Sequence, residues 1–568
     1  METATRVQTL YELWLTDPNI DEATKAELRT ISDQPKEIED RFYKDVEFGT
    51  GGLRGVIGAG TNRMNKYTVG RATQGLAQFL LSTQPTGGSA VIAYDSRYQS
   101  PEFALEAALV FAGNGIKAYV FESLRPTPEL SFAVRFLGAS AGIVVTASHN
   151  PPEYNGYKVY GTDGGQLVPS DAEQVIEIIQ NVKSFSSIRS LARKDAESQG
   201  LLTWVGREVD EAYITAVKSM SLNPKVITNI NENFRIVFTP LHGAGNHSVR
   251  QVLKQVGFTN VEVVAEQEHP DSQFSTVKSP NPEEKEAFTL ALKLAEEVEA
   301  DIIIGTDPDC DRMGAVVKNY EGQYEVLSGN QSGALMVHYV LNSLQLRGAL
   351  PPNGIVIKTI VTSEMGAVIA QSFGVPTLNT LTGFKYIGEK ITQFAATGEH
   401  RFLFGYEESY GYLTGTYARD KDAVVASLLI CEAAAYYKSL GKSLYQVLQE
   451  LYGQFGYFLE KLESRTLKGM DGLAQIGKIM NRWREQPPEK INGKKIVKVM
   501  DYSLGLEGLP RENVLKYVLE DQSWFCLRPS GTEPKIKVYF AVCETSADLA
   551  LTQINGLMQS VMAKVDEE

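Results

Sequence analysis

The chain has 568 residues, 43% of them hydrophobic and 22% charged. This is an ordinary globular composition, which excludes a collagen-like or wholly disordered chain. It is too long for one core, and at roughly 100–200 residues per domain about three to five domains are expected. Lys and Arg total 55 against 69 Asp and Glu, a net charge of −14. A chain this acidic repels polyanions, so nucleic acid and anionic membranes are not its expected partners; a small phosphorylated substrate in a locally basic pocket stays open.

The first 40 residues read as helical, with Asp17-Pro18 as a helix start signal. A pattern then repeats: a short β-branched run, a polar or Gly/Pro turn, an amphipathic stretch. Strands are expected at 90–95, 117–121 and 142–146, with a helix over 171–182. The alternation resumes with strands at 235–238, 261–264 and 301–305, helices near 249–256 and 284–299, and further strands at 354–358 and 401–404. Such spacing means α/β units with largely parallel sheets, and three blocks of similar size could be structural repeats. The last 100 or so residues differ. Strand-like runs at 502–508, 514–518, 524–527 and 535–541 and a helix near 547–565 read as a separate α+β domain, with 485–498 as a surface excursion. The four cysteines, Cys310, Cys431, Cys526 and Cys543, form no CxxC pair, which argues for a reducing, cytoplasmic setting. No signal peptide or membrane span is expected.

In open α/β sheets ligands collect beyond the carboxyl ends of strands. After the strand 142–146 comes Thr146-Ala147-Ser148-His149-Asn150-Pro151-Pro152-Glu153-Tyr154-Asn155-Gly156-Tyr157-Lys158. Ser148 leaves a buried strand for a Pro/Asn/Gly turn, as a nucleophile or phosphate carrier would; the plain alternative is a turn serine. His149 and Lys158 add proton-transfer and cationic groups. There is no GxSxG elbow, and in an extended segment His149 would point away from Ser148. After 301–305 comes Thr306-Asp307-Pro308-Asp309-Cys310-Asp311-Arg312. Period-2 spacing in extended backbone puts the three carboxylates on one face, where they repel unless a cation sits among them. Oxygen-only ligands suit Mg²⁺. An EF-hand fails, because Arg312 stands where its glycine would be and Lys318 where its glutamate would be. Gly49–Gly55, with Arg54, and Arg528-Pro529-Ser530-Gly531-Thr532-Glu533-Pro534-Lys535 are candidate anion loops; either could equally be a polar turn. Glu407 and Ser409, after the strand 401–404, suit recognition of vicinal hydroxyls, and Thr382-Gly383 could add a hydroxyl and a backbone contact; the plain alternative for each is a bland loop.

In order and spacing these loops resemble the α-D-phosphohexomutase superfamily, which includes phosphoglucomutases and phosphomannomutases. TASHNPPEYNGYK looks like its phosphoserine loop, GTDPDCDR its metal loop, GYEESYG its sugar loop and RPSGTEPK its phosphate loop, and the likeness runs from about Gly49 to Lys535. The long N-terminus and EFGTGGLRG are most similar to the long bacterial phosphoglucomutase-like and phosphopentomutase-like branch. The resemblance implies an α/β fold of four domains around a central cleft: three α/β mixed-sheet domains of similar topology plus a C-terminal α+β domain, divided here as 1–206, 207–322, 323–450 and 451–568.

The resemblance also implies interconversion of glucose 1-phosphate and glucose 6-phosphate, with glucose 1,6-bisphosphate as intermediate and activator. Ser148 would carry the phosphoryl group, one oxygen of which joins Asp307, Asp309 and Asp311 on Mg²⁺. Lys158, with His149 or Arg54, would handle the hydroxyl proton, and cationic neighbours would lower the lysine's pKa. Arg312, Thr382, Gly383, Glu407, Ser409, Lys421, Arg528, Ser530, Gly531 and Thr532 would bind substrate. The protein would be a cytoplasmic monomer or dimer. Shorter dual-specificity relatives carry a His after the sugar-loop serine; here Tyr410 and Gly411 follow Ser409, which leaves the second proton-transfer group open. A phosphomannomutase or phosphopentomutase is the alternative within the class. A serine phosphatase and a silent sugar-phosphate binder are the alternatives outside it.

Overall fold

The computed structural model describes residues 2–49, 51–84, 87–467, 469–530 and 535–567. Four sheets organise the chain. The first holds β1 (Phe48–Gly49), β2 (Gly52–Val56), β3 (Ser89–Tyr94), β4 (Lys117–Phe121), β5 (Ala141–Val145), β6 (Tyr154–Tyr160) and β7 (Leu202–Val205), in the order β1-β2-β6-β5-β3-β4-β7. The second holds β8 (Ile236–Thr239), β9 (Val261–Val263), β10 (Ile302–Thr306), β11 (Met313–Lys318) and β12 (Tyr324–Val326), in the order β12-β11-β10-β8-β9. The third holds β13 (Gly354–Thr359), β14 (Thr377–Thr380), β15 (Arg401–Tyr406) and β16 (Tyr412–Thr414), in the order β14-β13-β15-β16.

One local design recurs in all three. A strand buried along nearly its whole length pairs in parallel with its neighbour (β5 with β3, β10 with β8, β15 with β13). The chain then turns through a polar loop and returns antiparallel as β6, β11 or β16. The sheets are therefore mixed, and the three loops that carry the motifs occupy equivalent corners. Continuous apolar runs such as Ile302-Ile303-Ile304 suit strands covered on both faces.

The fourth sheet is antiparallel: β17 (Tyr457–Thr466), β18 (Lys490–Ile491), β19 (Lys494–Asp501), β20 (Leu515–Leu519), β21 (Trp524–Pro529) and β22 (Lys535–Glu544), in the order β17-β22-β21-β20-β19-β18. The expected surface excursion contains the edge hairpin β18–β19, whose lysines guard an open sheet edge. The expected strand at 502–508 is two 3-10 turns, closed by Gly505 and Gly508 at φ 74° and 75°.

Three helices, Glu2–Thr16, Glu22–Arg29 and Pro35–Phe42, form the N-terminal segment. Asp17-Pro18 lies in the turn between the first two rather than starting a helix; the cap is Asp21, whose carboxylate accepts from Thr24 N. The second and third units share one continuous apolar core from Tyr213 to Tyr452. At its centre runs the helix Ala423–Ser439, capped by Asp422, whose carboxylate accepts from Val424 N and Val425 N. Among the described residues no single helix is long and apolar enough to cross a membrane.

Candidate active site

The site is built where the recurrent loops converge. Ser148 sits just past β5 at φ 52°, a left-handed turn rather than extended chain. That turn brings His149 back, so its Nδ1 lies 3.2 Å from Ser148 Oγ instead of pointing away. Ser148 N donates to Thr146 Oγ1 at 2.8 Å, and that hydroxyl donates to Asp95 at 2.6 Å. The serine hydroxyl donates to Asp307 Oδ2 at 2.6 Å, across the boundary between the first two sheets.

The three aspartates also meet by turning. Cys310 has φ 54° and its amide donates to Asp307 O, which folds 307–311 into a tight turn, not the alternating face expected of extended backbone. Their donor oxygens lie within 4.8 Å of one another, all three residues buried. Asp307 Oδ1 accepts from the amides of Asp311 and Arg312. Lys158 Nζ lies 2.7 Å from Asp309 Oδ2 and 3.1 Å from Asp311 Oδ2, and Lys421 Nζ is 3.2 Å from Asp311 Oδ2. Arg312 bonds Glu283. Thr127 Oγ1 donates to Asp309 Oδ2 at 3.0 Å, and its amide donates to Asp309 O.

The electrostatics follow. Burial, with Asp309 and Asp311 adding repulsion, holds the Asp307 carboxyl well above its ordinary pKa. Burial would also raise Asp311, but Lys158, Lys421 and Arg312 outweigh it and hold Asp311 low. Burial alone would lower Lys158; Asp309 and Asp311 prevail and leave it above its ordinary value, contrary to the lowered pKa expected of a base among cations. Burial, then Arg312 and Arg54, keep His149 neutral far below its usual pKa. Asp309 Oδ1 and Asp311 Oδ1 are buried with no hydrogen-bond partner among the described residues. Two orphaned oxygens in an all-oxygen set fit a hard divalent cation.

The glycine-rich segment before Arg54 runs through a hairpin, β1 with β2. Gly52 has φ 132°, and a Cβ there would stand 1.9 Å from Tyr157 O, so only glycine lets β2 lie against β6. Thr50 lies outside the described residues. Arg54 is exposed and reaches Asn150 Oδ1 at 3.2 Å.

In the third unit Glu407 is 5% exposed and accepts from Gly383 N at 2.9 Å. Burial pushes its carboxyl up to about 7, against the pull of Lys421. Gly383 has φ 119°, and Thr382 Oγ1 is buried without a hydrogen-bond partner among the described residues. Glu408 turns to Thr359 and Thr362, while Ser409, two positions after Glu407, is half-buried. Met313 N donates to Tyr410 O at 3.1 Å, and Arg312 and Gly411 form a backbone bridge. Lys421 Nζ is 3.0 Å from Asp420, which accepts from Tyr160 OH at 2.8 Å. In the fourth unit Arg528, at the end of β21, bonds Glu512 at 3.2 Å and pairs across the sheet with Lys537. Ser530 N donates to Lys535 O at 2.7 Å; Gly531 and Thr532 lie outside the described residues. Burial, with Arg528, Lys535 and Arg312, lowers Lys537.

Residue reading alone passes over Thr127 and Asp95. The only local signal for Thr127 is a Pro-Thr-Pro helix start, and Asp95 reads as the end of a strand. The geometry joins a hydroxyl, an acidic oxygen cluster and several cations, a set suited to moving a phosphoryl group.

Comparison with known proteins gives the same direction. The chain matches the phosphoglucomutase/phosphomannomutase alpha/beta/alpha domains I, II and III over residues 45–185, 211–322 and 328–455, and the C-terminal domain of that family over 479–553. It is 39% identical to a phosphoglucomutase of Staphylococcus epidermidis (ATCC 12228) over 533 residues, 92% of this chain and 95% of that one. It is 36% identical to a phosphoglucomutase of Staphylococcus aureus (USA300) over 564 residues, 97% and 98% of the two chains. The fold is shared with a putative phosphomannomutase from Thermus thermophilus (TM-score 0.69, 23% identity, 92% of this chain and 100% of that one). It is shared too with the open form of pp63/parafusin, a phosphoglucomutase from Paramecium (TM-score 0.70, 18% identity, 92% and 96%).

Proposed function

The chain belongs to the phosphoglucomutase/phosphomannomutase family and is a phosphohexomutase, an isomerase by class; from that premise we propose that it interconverts glucose 1-phosphate and glucose 6-phosphate through a phosphoserine at Ser148. The observation that carries the reading is the 2.6 Å bond from Ser148 Oγ to Asp307 inside the buried aspartate trio. Asp307, Asp309 and Asp311 would hold Mg²⁺ with a phosphate oxygen on Ser148, and the ion would supply charge neutralisation.

The chain's own residues do the rest. Ser148 gives its phosphoryl group to the free hydroxyl of a bound sugar phosphate and recovers the other phosphate from glucose 1,6-bisphosphate. Lys158, protonated between Asp309 and Asp311, donates a proton from Nζ to an oxygen that loses its phosphoryl group. Neutral His149, 3.2 Å from Ser148 Oγ, can accept one, and Arg54 adds charge over the same loop. Arg312 and Lys421 offset the phosphoryl charge. Glu407 and Ser409, with Thr382 and Gly383, take the sugar hydroxyls. Arg528 and Ser530, together with Gly531 and Thr532, grip the phosphate that does not react, a task suited to a guanidinium fork. A cytoplasmic location accompanies the reading, with four cysteines kept as thiols.

The test is a coupled assay with glucose, mannose and pentose 1-phosphates, joined to intact-mass measurement after incubation with glucose 1,6-bisphosphate. Preferred turnover of glucose 1-phosphate and a phosphate mapped to Ser148 are expected. Absence of turnover with every hexose phosphate would sink the assignment.

A further inference from the structure

Ser148 holds a left-handed backbone conformation that non-glycine residues adopt only when their surroundings impose it. The side chain that grips this turn comes from the end of the neighbouring strand β3. Arg97 follows β3, is 1% exposed, and directs its guanidinium into the phosphoserine loop. Nη2 donates to Ser148 O and to Asn150 O, each at 2.5 Å. Nη1 donates to Pro151 O at 2.8 Å and to Tyr154 O at 3.1 Å. One side chain thus satisfies three carbonyls of the turn at 148–151 and a fourth at the first residue of β6.

The other end of the ion pair holds the other side of the serine. Arg97 Nε lies 3.3 Å from Asp95 Oδ2, both side chains fully buried. Asp95 Oδ2 accepts from Thr146, whose hydroxyl accepts from Ser148 N. The N–H and the C=O of Ser148 are therefore tied to opposite partners of a single buried pair. Ser100 Oγ at 2.7 Å and Arg97 N at 3.0 Å complete Asp95 Oδ1. The second unit closes the arrangement from outside. Phe274 lays its ring 5.0 Å from Arg97 Cζ, and Ser279 Oγ donates to His149 O at 3.5 Å. The segment bearing Phe274 is itself anchored by His242, whose ring nitrogens bond His269 O and Thr276 Oγ1.

We infer that Arg97 is a positioning residue for the phosphoryl transfer: clamped between Asp95 and Phe274, it sets the direction in which Ser148 Oγ meets Asp307. The inference rests on the phosphoserine reading above. A buried ion pair is weak ground for stability, because desolvation offsets the attraction. Its fork of donors is what a lysine could not supply, since an ammonium has three donors on one atom and no planar spread.

The test uses the full-length enzyme with Mg²⁺ and follows Ser148 labelling by glucose 1,6-bisphosphate with time-resolved intact mass. Loss of folded protein lowers the amplitude of labelling but not its rate constant, so the rate constant is the readout. Arg97→Lys is expected to slow it roughly 10- to 100-fold, the scale of an ångström-sized misplacement, to lower kcat by the same factor, and to leave KM within about twofold. In Arg97→Ala, added methylguanidinium is expected to restore part of the rate. A wild-type rate constant in Arg97→Lys overturns the inference. If Arg97→Lys does not fold, Phe274→Leu, which removes only the ring face, decides: a few-fold slower rate constant supports the clamp and an unchanged one overturns it. Should the wild-type enzyme itself take no phosphate on Ser148, the phosphoserine reading fails instead.

Discussion

The serine–aspartate centre and the fourth unit are held in opposite ways. The centre is knit by short buried contacts across unit boundaries: Ser148 to Asp307, Thr127 to Asp309, Lys158 to Asp309 and Asp311, and Tyr160 to Asp420. The second and third units share one core. The fourth has its own core and meets the third along a smaller seam, where Ile360, Val361, Leu381 and Tyr386 pack against residues such as Tyr502 and Trp524. Lys516 Nζ crosses that seam to Ile360 O at 2.7 Å, beside the Trp524 ring. The contrast matches the proposed division of labour: groups that react would need fixed mutual distances, whereas a grip on a distant phosphate could be carried by a separately folded unit.

The sharpest break is at the centre. Ser148→Ala is expected to lower kcat about 1,000-fold or more while calorimetry still shows sugar-phosphate binding; survival of activity would remove Ser148 from the mechanism. Asp307→Asn is expected to cost activity on the order of 100- to 1,000-fold yet to raise Tm in chelator. The sign follows from the raised carboxyl of Asp307: its contribution to stability is present below its ordinary pKa and is lost as pH climbs through the higher folded value.

Arg528→Ala tests the other region. Loss of a guanidinium grip should raise KM roughly 10- to 100-fold with kcat within about threefold. An equal fall in kcat would tie the fourth unit to the chemical step and erase the contrast. Glu407→Gln should lower kcat/KM about tenfold, the scale of one charged hydrogen bond. The Glu407 carboxyl moves from an ordinary 4.5 to about 7, so substrate-free stability should decline across that interval as pH rises, and Tm measured against pH should flatten there in the glutamine variant.

The smallest effect belongs to the seam. Burial, with Lys358 adding repulsion, brings Lys516 from 10.5 down to about 8. Its contribution to stability is present above the ordinary value and is lost as pH falls through about 8. Lys516→Met should therefore leave Tm at pH 7 unchanged or slightly higher, because Glu364 keeps Lys358 at 3.1 Å.

The fold was legible wherever strands are buried on both faces, since runs such as Ile302–Thr306 carry their own signal. The edge hairpin β18–β19 was not, because lysine-rich strands at a sheet margin look like loop. Loop identities were legible and loop geometry was not. Ser148 and Cys310 take left-handed turns that no residue type announces, and those turns bring His149 to Ser148 and gather the aspartates. Thr127 was out of reach for another reason: it meets Asp309 across 182 positions of chain, a contact only the tertiary fold creates. The sign of the Lys158 shift was lost the same way, through acids that sequence spacing does not bring near.

One small backbone link has a wider consequence. Arg312 bridges Gly411, and Met313 N holds Tyr410 O. The loop of the aspartate trio and the loop of Glu407 are thus stitched into a common frame. In the proposed cycle a pyranose arriving with either end foremost would therefore meet the same spacing between Asp311 and Glu407, held by shared peptide groups while the side chains make the contacts.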